Sequence, residues 1–255
     1  MHSLKVRNLI IGEGIPKICV SILGRTKKQI LQEAEAIAGL PVDLVEWRAD
    51  WFDESSNLDL LSSVLRELRS IMKDIPILFT FRTASEGGQK TIGVTDYVEL
   101  NKTAAATGHI DLIDIEAFMD NLSIPSILPL LHPYKIKILL SNHDFKHTPP
   151  KEEIIARLRK MQDLGADIAK IAVMPSCSHD VAVLLSATAE MNEKYAECPI
   201  VTMSMSKSGS ISRISGEYFG SAITFAAAEQ ASAPGQIALL DLHQILRTIH
   251  QNLIE

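Results

Sequence analysis

A lysine stands inside one of the most apolar segments of this chain. Lys170 lies in ADIAKIAVM, which begins at Ala166, and apolar residues flank it on both sides. Burying an ammonium group in such a run is costly, and that cost favours the neutral amine. A neutral amine is the nucleophile that forms a Schiff base with a carbonyl. A lysine paired with a carboxylate, or one whose head reaches past the strand end, is the structural alternative.

A histidine follows the fifth apolar run, where an active-site base would stand. His143 lies in LLSNHDF, and a side chain that titrates near neutrality suits proton abstraction next to a carbonyl or imine. A hydrogen-bonded structural histidine is the alternative. His143 and His147 have the H-x3-H spacing of a zinc pair on a helix, but Pro149 and Pro150 place a helix start after them. We therefore expect no metal site.

Two further segments carry charged residues where strands end. Glu46 and Arg48 stand two apart in EWRAD, so strand geometry puts both side chains on one face. Burying two charges against helices would be costly, which favours the mouth of a barrel interior; an ion pair at the strand end is the alternative. Arg82 ends LFTFR and could grip a carboxylate or a hydroxyl, and Glu86 in ASEGGQ could hold an imidazole in one tautomer. Either residue could instead be a solvated loop charge.

Two methionines and two polar loops complete the candidate site. Met203 and Met205, two apart in TMSMS, share a strand face and are expected to wall a cavity. The Gly/Ser-rich segment 204–212 and the adjacent Arg213 stand where barrels often bind phosphate, so a phosphorylated substrate is one interpretation. The segment SAPGQ, at 232–236, is a second polar loop, and its structural interpretation is a simple turn.

The strands that must position these residues recur at about the spacing of one βα unit. Each is short and rich in Ile, Val, Leu or Phe, as buried parallel strands tend to be. Segments with helical spacing of apolar residues lie between them, such as NLDLLSSVLRELRSIM and KEEIIARLRKMQDLG. The eight apolar runs are KICVSI, DLVEWR, PILFTFR, DLIDIE, KIKILLSNH, ADIAKIAVM, PIVTMSM and AITFAAA.

Eight βα units in a chain of this length predict a (β/α)8 TIM barrel. The first fourteen residues predict an additional N-terminal β-hairpin, and we expect residues 1–255 to form a single catalytic domain. A doubly wound sheet is the competing architecture, but it often has a Gly-rich turn after its first strand. GEGIPK has Lys17 where the third glycine of that turn should stand, and it precedes a strand instead of opening a helix.

Composition limits the class of partner. The net charge is −6 and no long Lys/Arg block is present, which argues against a nucleic-acid partner. Three scattered cysteines without C-x-x-C indicate reduced thiols in the cytoplasm. We expect neither a signal peptide nor a membrane partner, because the N-terminal apolar run covers only Leu9 to Ile11 and no 18-residue apolar stretch follows.

Six segments taken in order resemble the type I 3-dehydroquinate dehydratase family. They are EWRAD, FTFRTASEGG, SNHDF, KIAVMP, MSMSKSGSISR and SAPGQ, and the similarity runs from about Val6 to about Leu253. Three small departures are Thr83 where serine is common, Ala169 where proline is common and Ala226 where glycine is common. None of them removes a group that the chemistry requires.

The resemblance implies a cofactor-free lyase of the shikimate pathway, which serves aromatic amino acid biosynthesis, and a homodimer. It implies dehydration of 3-dehydroquinate to 3-dehydroshikimate. Lys170 would form an imine with the C3 ketone, His143 would remove a C2 proton and help expel the C1 hydroxyl, and Glu86 would orient His143. Substrate-binding roles fall to Arg213, Ser232 and Gln236 for the carboxylate, to Glu46, Arg48 and Arg82 for the hydroxyls and the charge balance, and to Ser21, Met203, Met205 and Phe225 as pocket lining.

Two other functions are weighed against this one. A Schiff-base aldolase or transaldolase acting on a phosphorylated sugar explains Lys170 and the Gly/Ser-rich loop, but not the presence of His143, Glu86 and SAPGQ together. A non-catalytic barrel that binds a metabolite predicts the loss of at least one of Lys170, His143 and Glu86, and all three are present.

Overall fold

A short antiparallel hairpin precedes the barrel. The computed structural model describes residues 2–228 and 230–253 of the chain. Strand β1 (Leu4–Val6) pairs with β2 (Leu9–Ile11), and Leu4 lies opposite Ile11. Val6 and Ile11 are buried among the apolar side chains near the start of the barrel strands. The hairpin therefore covers the amino-terminal end of the barrel.

Eight parallel strands follow, each paired with the next one along the chain. The circle closes where Ile200 bridges to Ser221 and the Ala222 amide donates to the Ile200 carbonyl over 2.8 Å. The strands are β3 (Lys17–Ile22), β4 (Leu44–Arg48), β5 (Ile77–Thr80), β6 (Leu112–Glu116), β7 (Lys137–Asp144), β8 (Ile168–Val173), β9 (Ile200–Ser204) and β10 (Ile223–Ala227). A two-residue strand, β11 (Ile237–Ala238), pairs with β10.

Helices connect the strands. They are α1 (Lys27–Ile37), α2 (Leu58–Met72), α3 (Val94–Ala106), α4 (Ile124–Leu131), α5 (Lys151–Asp163), α6 (Ser178–Lys194), α7 (Ile211–Ile214), α8 (Gly216–Phe219) and α9 (Leu239–Leu253). None of the helices in the described ranges is both long enough and apolar enough to cross a membrane.

Helix α2 shows how the sequence specifies these connections. The Asn57 side chain accepts a hydrogen bond of 3.1 Å from the Leu60 amide, which satisfies one of the free donors at the helix start. Residues spaced three and four apart then form one buried face, and each buried leucine contributes about 1.5–3 kcal/mol. That face consists of Leu61, Val64, Leu65, Leu68 and Met72.

Alternate residues of each barrel strand belong to two separate apolar clusters. Val20 and Ile22 of β3 pack under the helices, whereas Cys19 packs inside the barrel. The inner cluster takes one residue from the early part of each strand, namely Cys19, Leu44, Leu78, Leu112, Leu139, Ile168, Val201 and Ile223. The predicted (β/α)8 barrel with its N-terminal hairpin is confirmed, because the parallel sheet closes on itself instead of remaining open.

Candidate active site

Polar side chains occupy the next inward position along six of the strands, two residues beyond the apolar layer. Period-two geometry keeps them inside the barrel, nearer the carboxyl ends of the strands, where barrel enzymes place their active sites. All six are buried. They are Ser21, Glu46, Thr80, Asp114, Ser141 and Lys170.

Lys170 lies on β8 beside two groups that contact its amine. The Nζ is 3.4 Å from Asp114 Oδ2 and 4.6 Å from the centre of the Phe225 ring. Lys170 is only 4% exposed, so its amine ends inside the barrel and does not reach past the strand end. Of the structural alternatives raised from the sequence, the structure therefore shows a carboxylate partner, Asp114, and not a head that reaches past the strand end.

Arg82 connects several acids around the cavity. Its Nη2 donates to Asp114 Oδ2 over 2.6 Å, and its Nη1 donates to Glu116 Oε1 and Ser141 Oγ, each over 3.0 Å. Glu86 Oε2 lies 3.6 Å from the same Nη1. The guanidinium thus compensates buried negative charge in this part of the cavity.

Glu86 holds His143 through the backbone nitrogen and the ring Nδ1. The Glu86 Oε2 atom accepts from the His143 backbone N–H and lies next to the ring Nδ1, each at 2.9 Å. A tight turn puts Glu86 there: Gly87 has a φ of +84°, and a Cβ on it would lie 2.2 Å from the Phe145 ring. A Cβ on Gly88 would lie 1.9 Å from the Arg82 carbonyl oxygen. Glycine is therefore required at both positions of the turn.

Burial shifts the protonation of this pair toward uncharged groups. It raises the pKa of Glu86 to about 8, against an opposing effect of Arg82. It also lowers the pKa of His143 well below its ordinary value, with the cations Arg82, Lys170 and Arg48 acting in the same direction. Two groups in such contact titrate as a unit. The pair is thus poised to gain or lose one proton near neutral pH.

The pair has an acid form and a base form. When it is deprotonated, Glu86 is a carboxylate, the Nδ1–H of His143 donates to it, and Nε2 has a free lone pair. When it gains one proton, the Glu86 hydroxyl donates to Nδ1 and Nε2 carries the hydrogen. His143 Nε2 can therefore act as a general base in one form and as a general acid in the other.

Glu46 and Arg48 are not paired with each other. Glu46 Oε2 lies 2.6 Å from Ser21 Oγ, and Glu46 Oε1 accepts from Thr80 over 2.9 Å. Arg48 makes a two-pronged ion pair with Asp50, with distances of 2.7 and 2.8 Å. Both side chains line the cavity.

Arg213 is a buried cation close to the SAPGQ loop. It is 2% exposed, and within residues 2–228 and 230–253 no carboxylate forms an ion pair with it. Its Nη2 donates to the Pro234 carbonyl over 3.0 Å, its Nη1 is 3.9 Å from Met203 Sδ, and its Nε has no partner in the part of the chain that the structure describes. Burial lowers the pKa of Arg213 to about 10. An anion bound beside this guanidinium would supply the missing partner.

The SAPGQ loop closes over this side of the barrel. The Ser232 amide donates to Gln236 Oε1 over 2.9 Å, and Gln236 Nε2 donates to Ser232 Oγ over 2.8 Å. Ser232 Oγ also lies 2.9 Å from Ser21 Oγ. Gly235 has a φ of +80°, and a Cβ on it would lie 1.9 Å from the Ser206 carbonyl oxygen, so the loop packs directly against segment 204–212.

Most of the sequence-predicted residues line one cavity. Ser21 and Arg213 do not line it but contact residues that do. Ser21 contacts Glu46 and Ser232, and Arg213 contacts Met203. His147 stands away from it, with a side chain 61% exposed and 3.3 Å from Asp144. The predicted residues that line the cavity are Glu46, Arg48, Arg82, Glu86, His143, Lys170, Met203, Met205, Phe225, Ser232 and Gln236.

Several residues of the site were missed in the sequence. Asp114 and Glu116 stand two apart in DLIDIE, which is the same period-two signal that identified Glu46 and Arg48. Asp50 follows Arg48 at the same spacing. Asn142, which donates to Glu86 Oε1 over 3.2 Å, gave no comparable signal. Within the described ranges, no three His, Cys, Asp or Glu side chains are grouped to hold a metal ion.

Comparison with known sequences gives the same family throughout. The family model described as type I 3-dehydroquinase matches residues 18–253. A 3-dehydroquinate dehydratase of Clostridioides difficile is 50% identical over 252 residues, covering 99% of both chains. One from Salmonella typhimurium is 47% identical over 251 residues, covering 98% of this chain and 100% of that protein.

Solved structures agree with this result. A type I 3-dehydroquinate dehydratase from Clostridium difficile, crystallised with covalently modified comenic acid, has a TM-score of 0.96 and 50% identity, covering 99% of this chain and 100% of that one. A 3-dehydroquinate dehydratase from Geobacillus kaustophilus has a TM-score of 0.94 and 38% identity, covering 98% and 96%. The resemblance carried by the six motifs is confirmed, and the chain belongs to the type I 3-dehydroquinase family.

Proposed function

We propose that this chain dehydrates 3-dehydroquinate to 3-dehydroshikimate through a Schiff base on Lys170. One observation carries the proposal: the amine of Lys170 and the His143–Glu86 pair line the same cavity inside the barrel. An amine, a base and a group that orients the base are the set that imine-based elimination requires. Membership of the family supplies the substrate and the reaction.

The first step forms the imine. The ammonium proton of Lys170 is first transferred away, and the neutral amine attacks the C3 carbonyl of the substrate. A proton then returns to the carbinolamine hydroxyl, which leaves as water and gives an iminium. An iminium is a better electron sink than a ketone, so the C2 proton becomes acidic enough for a side chain to remove. This chemistry needs no metal and no coenzyme.

The second step is the elimination itself. In its base form, His143 removes the C2 proton, and the electron pair moves into the enamine. His143 then holds that proton and delivers it to the C1 hydroxyl, which leaves as water while the enamine electrons form the new C1–C2 double bond. Hydrolysis of the iminium consumes the water released on imine formation, frees the enone product and restores Lys170. The net change is loss of one water from the substrate.

Substrate recognition follows from charge. We propose that Arg213 pairs with the substrate carboxylate, with Ser232 and Gln236 closing around it, because Arg213 is buried and has no acidic partner among the described residues. Arg48 and Arg82 already bind protein carboxylates. Where the substrate hydroxyls bind, their main effect is therefore to balance the charge of the cavity together with Glu46. Met203, Met205 and Phe225 form the remaining walls, and Ser21 supports the cavity from behind through its contacts with Glu46 and Ser232.

The proposal also covers the domain organisation, the cellular location and the oligomeric state. We propose that residues 1–255 act as one catalytic domain, that the protein works in the cytoplasm, and that it forms a homodimer. Sedimentation velocity tests the last point directly, since a dimer has twice the chain mass of 28.1 kDa.

Turnover of 3-dehydroquinate tests the activity. The conjugated enone product absorbs in the ultraviolet, so absorbance is expected to rise when enzyme and substrate are mixed, and a chelator should leave the rate unchanged. His143→Ala is expected to lower kcat by about 10²- to 10⁴-fold, the usual contribution of a general acid–base. A folded wild-type protein that forms no enone, even at enzyme concentrations near that of the substrate, would overturn the proposal.

A further inference from the structure

Glu86 is held on the side away from His143 by a residue that the proposed mechanism does not use. Asn142 Nδ2 donates to Glu86 Oε1 over 3.2 Å, while Glu86 Oε2 faces His143. Asn142 is buried, and its Oδ1 accepts from Arg157 Nη1 of helix α5 over 2.9 Å. These contacts link helix α5 to the acid–base pair, and we call them the Arg157–Asn142 bridge.

The chemistry of Arg157 fixes the orientation of the Asn142 amide. A guanidinium has only hydrogen-bond donors, so the amide oxygen must face Arg157 and the amide nitrogen must face Glu86. Arg157 is itself held by Glu153 and lies 3.6 Å from Asp144 Oδ2. A turned amide would point its oxygen at a Glu86 oxygen, and the bridge prevents this.

A donor at Oε1 decides where the proton of the pair can lie. Asn142 Nδ2 cannot accept a hydrogen bond, so a proton on Glu86 Oε1 would face another donor. Glu86 Oε2 accepts the His143 backbone N–H with one lone pair, but its other lone pair faces the ring Nδ1, which can accept a hydrogen bond. The proton carried by Glu86 therefore lies on Oε2, in line with His143 Nδ1. Resting on the proposed function, we propose that Arg157 and Asn142 are positioning residues that keep the Glu86–His143 proton on the Oε2–Nδ1 axis and so set the balance between the acid and base forms.

The bridge acts within a field of other charges. The Asn142 hydrogen bond acts to lower the pKa of Glu86, against the larger effect of burial. Removing it should therefore favour the protonated, acid form of the pair. The charged groups that face the pair from the neighbouring strands and loops are Arg48, Arg82, Asp114, Glu116 and Lys170.

Two substitutions break the bridge in different ways. Asn142→Leu removes the hydrogen bonds without changing the net charge, and Arg157→Leu removes the group that orients the amide. Arg157→Lys keeps both the charge and a donor, so it should restore wild-type behaviour. Arg159→Leu is the matched control, since Arg159 lies on the same helix but stacks on the Tyr195 ring at 4.9 Å.

The measurement is ¹⁵N NMR of the His143 ring against pH in the substrate-free protein, together with the pH profile of kcat. We expect both bridge-breaking variants to move the titration midpoint and the acid limb to higher pH. We also expect kcat to fall by roughly 3- to 10-fold, the effect of one hydrogen bond, with KM little changed. Arg159→Leu and Arg157→Lys should match the wild type.

Two results would overturn the bridge: unchanged midpoints in Asn142→Leu and Arg157→Leu, or an equal shift in Arg159→Leu. The second would show that loss of any α5 cation has the same effect. The NMR titration needs no turnover, so it also separates the two proposals. If the wild-type protein fails to convert 3-dehydroquinate while both variants show the shifted titration midpoint, the proposed role of the bridge stands and the proposed function is rejected.

Discussion

The Nζ of Lys170 lies 3.4 Å from Asp114 Oδ2, and the same oxygen accepts a 2.6 Å hydrogen bond from Arg82. Burial acts to raise the pKa of Asp114, but Arg82 and Lys170 outweigh burial and the pKa is lowered. Asp114 is therefore ionised at neutral pH and compensates two cations at once. The proposed nucleophile is thus built into the charge network that also surrounds the His143–Glu86 pair.

This network predicts a large stability effect from a nearly isosteric change. Asp114→Asn leaves Lys170 and Arg82 without their shared carboxylate, and removing one partner of a buried ion pair costs about 3–5 kcal/mol of unfolding free energy. Urea denaturation measures it. Asp74→Asn is the control, because the Asp74 side chain is 85% exposed and its ion pair with Arg7 is long, at 3.8 Å. A similarly small effect for both variants would contradict the role of Asp114 in the network.

Replacing Arg213 should not lower the free energy of unfolding, in contrast to replacing Asp114. Arg213→Met removes a buried charge for which residues 2–228 and 230–253 supply no acidic partner, so the substrate-free protein is expected to unfold at equal or higher urea concentration than the wild type. Substrate binding should weaken by about 1.5–3 kcal/mol, the value of a hydrogen bond to a charged group, which is roughly 10- to 150-fold in kcat/KM. A destabilised variant with unchanged kcat/KM would mean that Arg213 is structural.

The acid–base pair predicts the direction of the pH profile. Proton abstraction requires the base form, in which Glu86 is a carboxylate, and the pKa of Glu86 is raised to about 8. In the substrate-free enzyme the base form is lost as pH falls, so kcat/KM should decrease on the acid side of about pH 8, tending toward tenfold per pH unit. Glu86→Gln should lower the rate and abolish this limb. A flat wild-type profile from about pH 6 to 9 would rule the pair out as the titrating unit.

Much of the architecture could be predicted because the signals are local. Eight short apolar runs separated by helical segments specify the barrel, and period-two spacing places Glu46 and Arg48 on one strand face. The same spacing in DLIDIE would have identified Asp114 and Glu116, which also face inward and were overlooked.

Other features depend on contacts between distant segments. Arg157 meets Asn142 across fifteen residues, and the two side chains come together only because α5 folds back beside the end of β7. That no acidic residue of the described interior pairs with Arg213 is likewise a property of the fold, since acidic residues are plentiful in the sequence. Glycine is required at position 235 partly because of the Ser206 carbonyl oxygen, which belongs to a different loop.

Borohydride trapping tests the central claim most directly. Wild-type protein is mixed with 3-dehydroquinate, borohydride is added, and the intact mass is measured before peptide mapping. The account predicts one reduced secondary-amine adduct on the peptide containing Lys170. Lys170→Met should fold, give no adduct, and lose turnover on the order of 10⁴-fold or more. Formation of the enone by the wild type with no adduct on Lys170, or an active Lys170→Met variant, would contradict the Schiff-base mechanism.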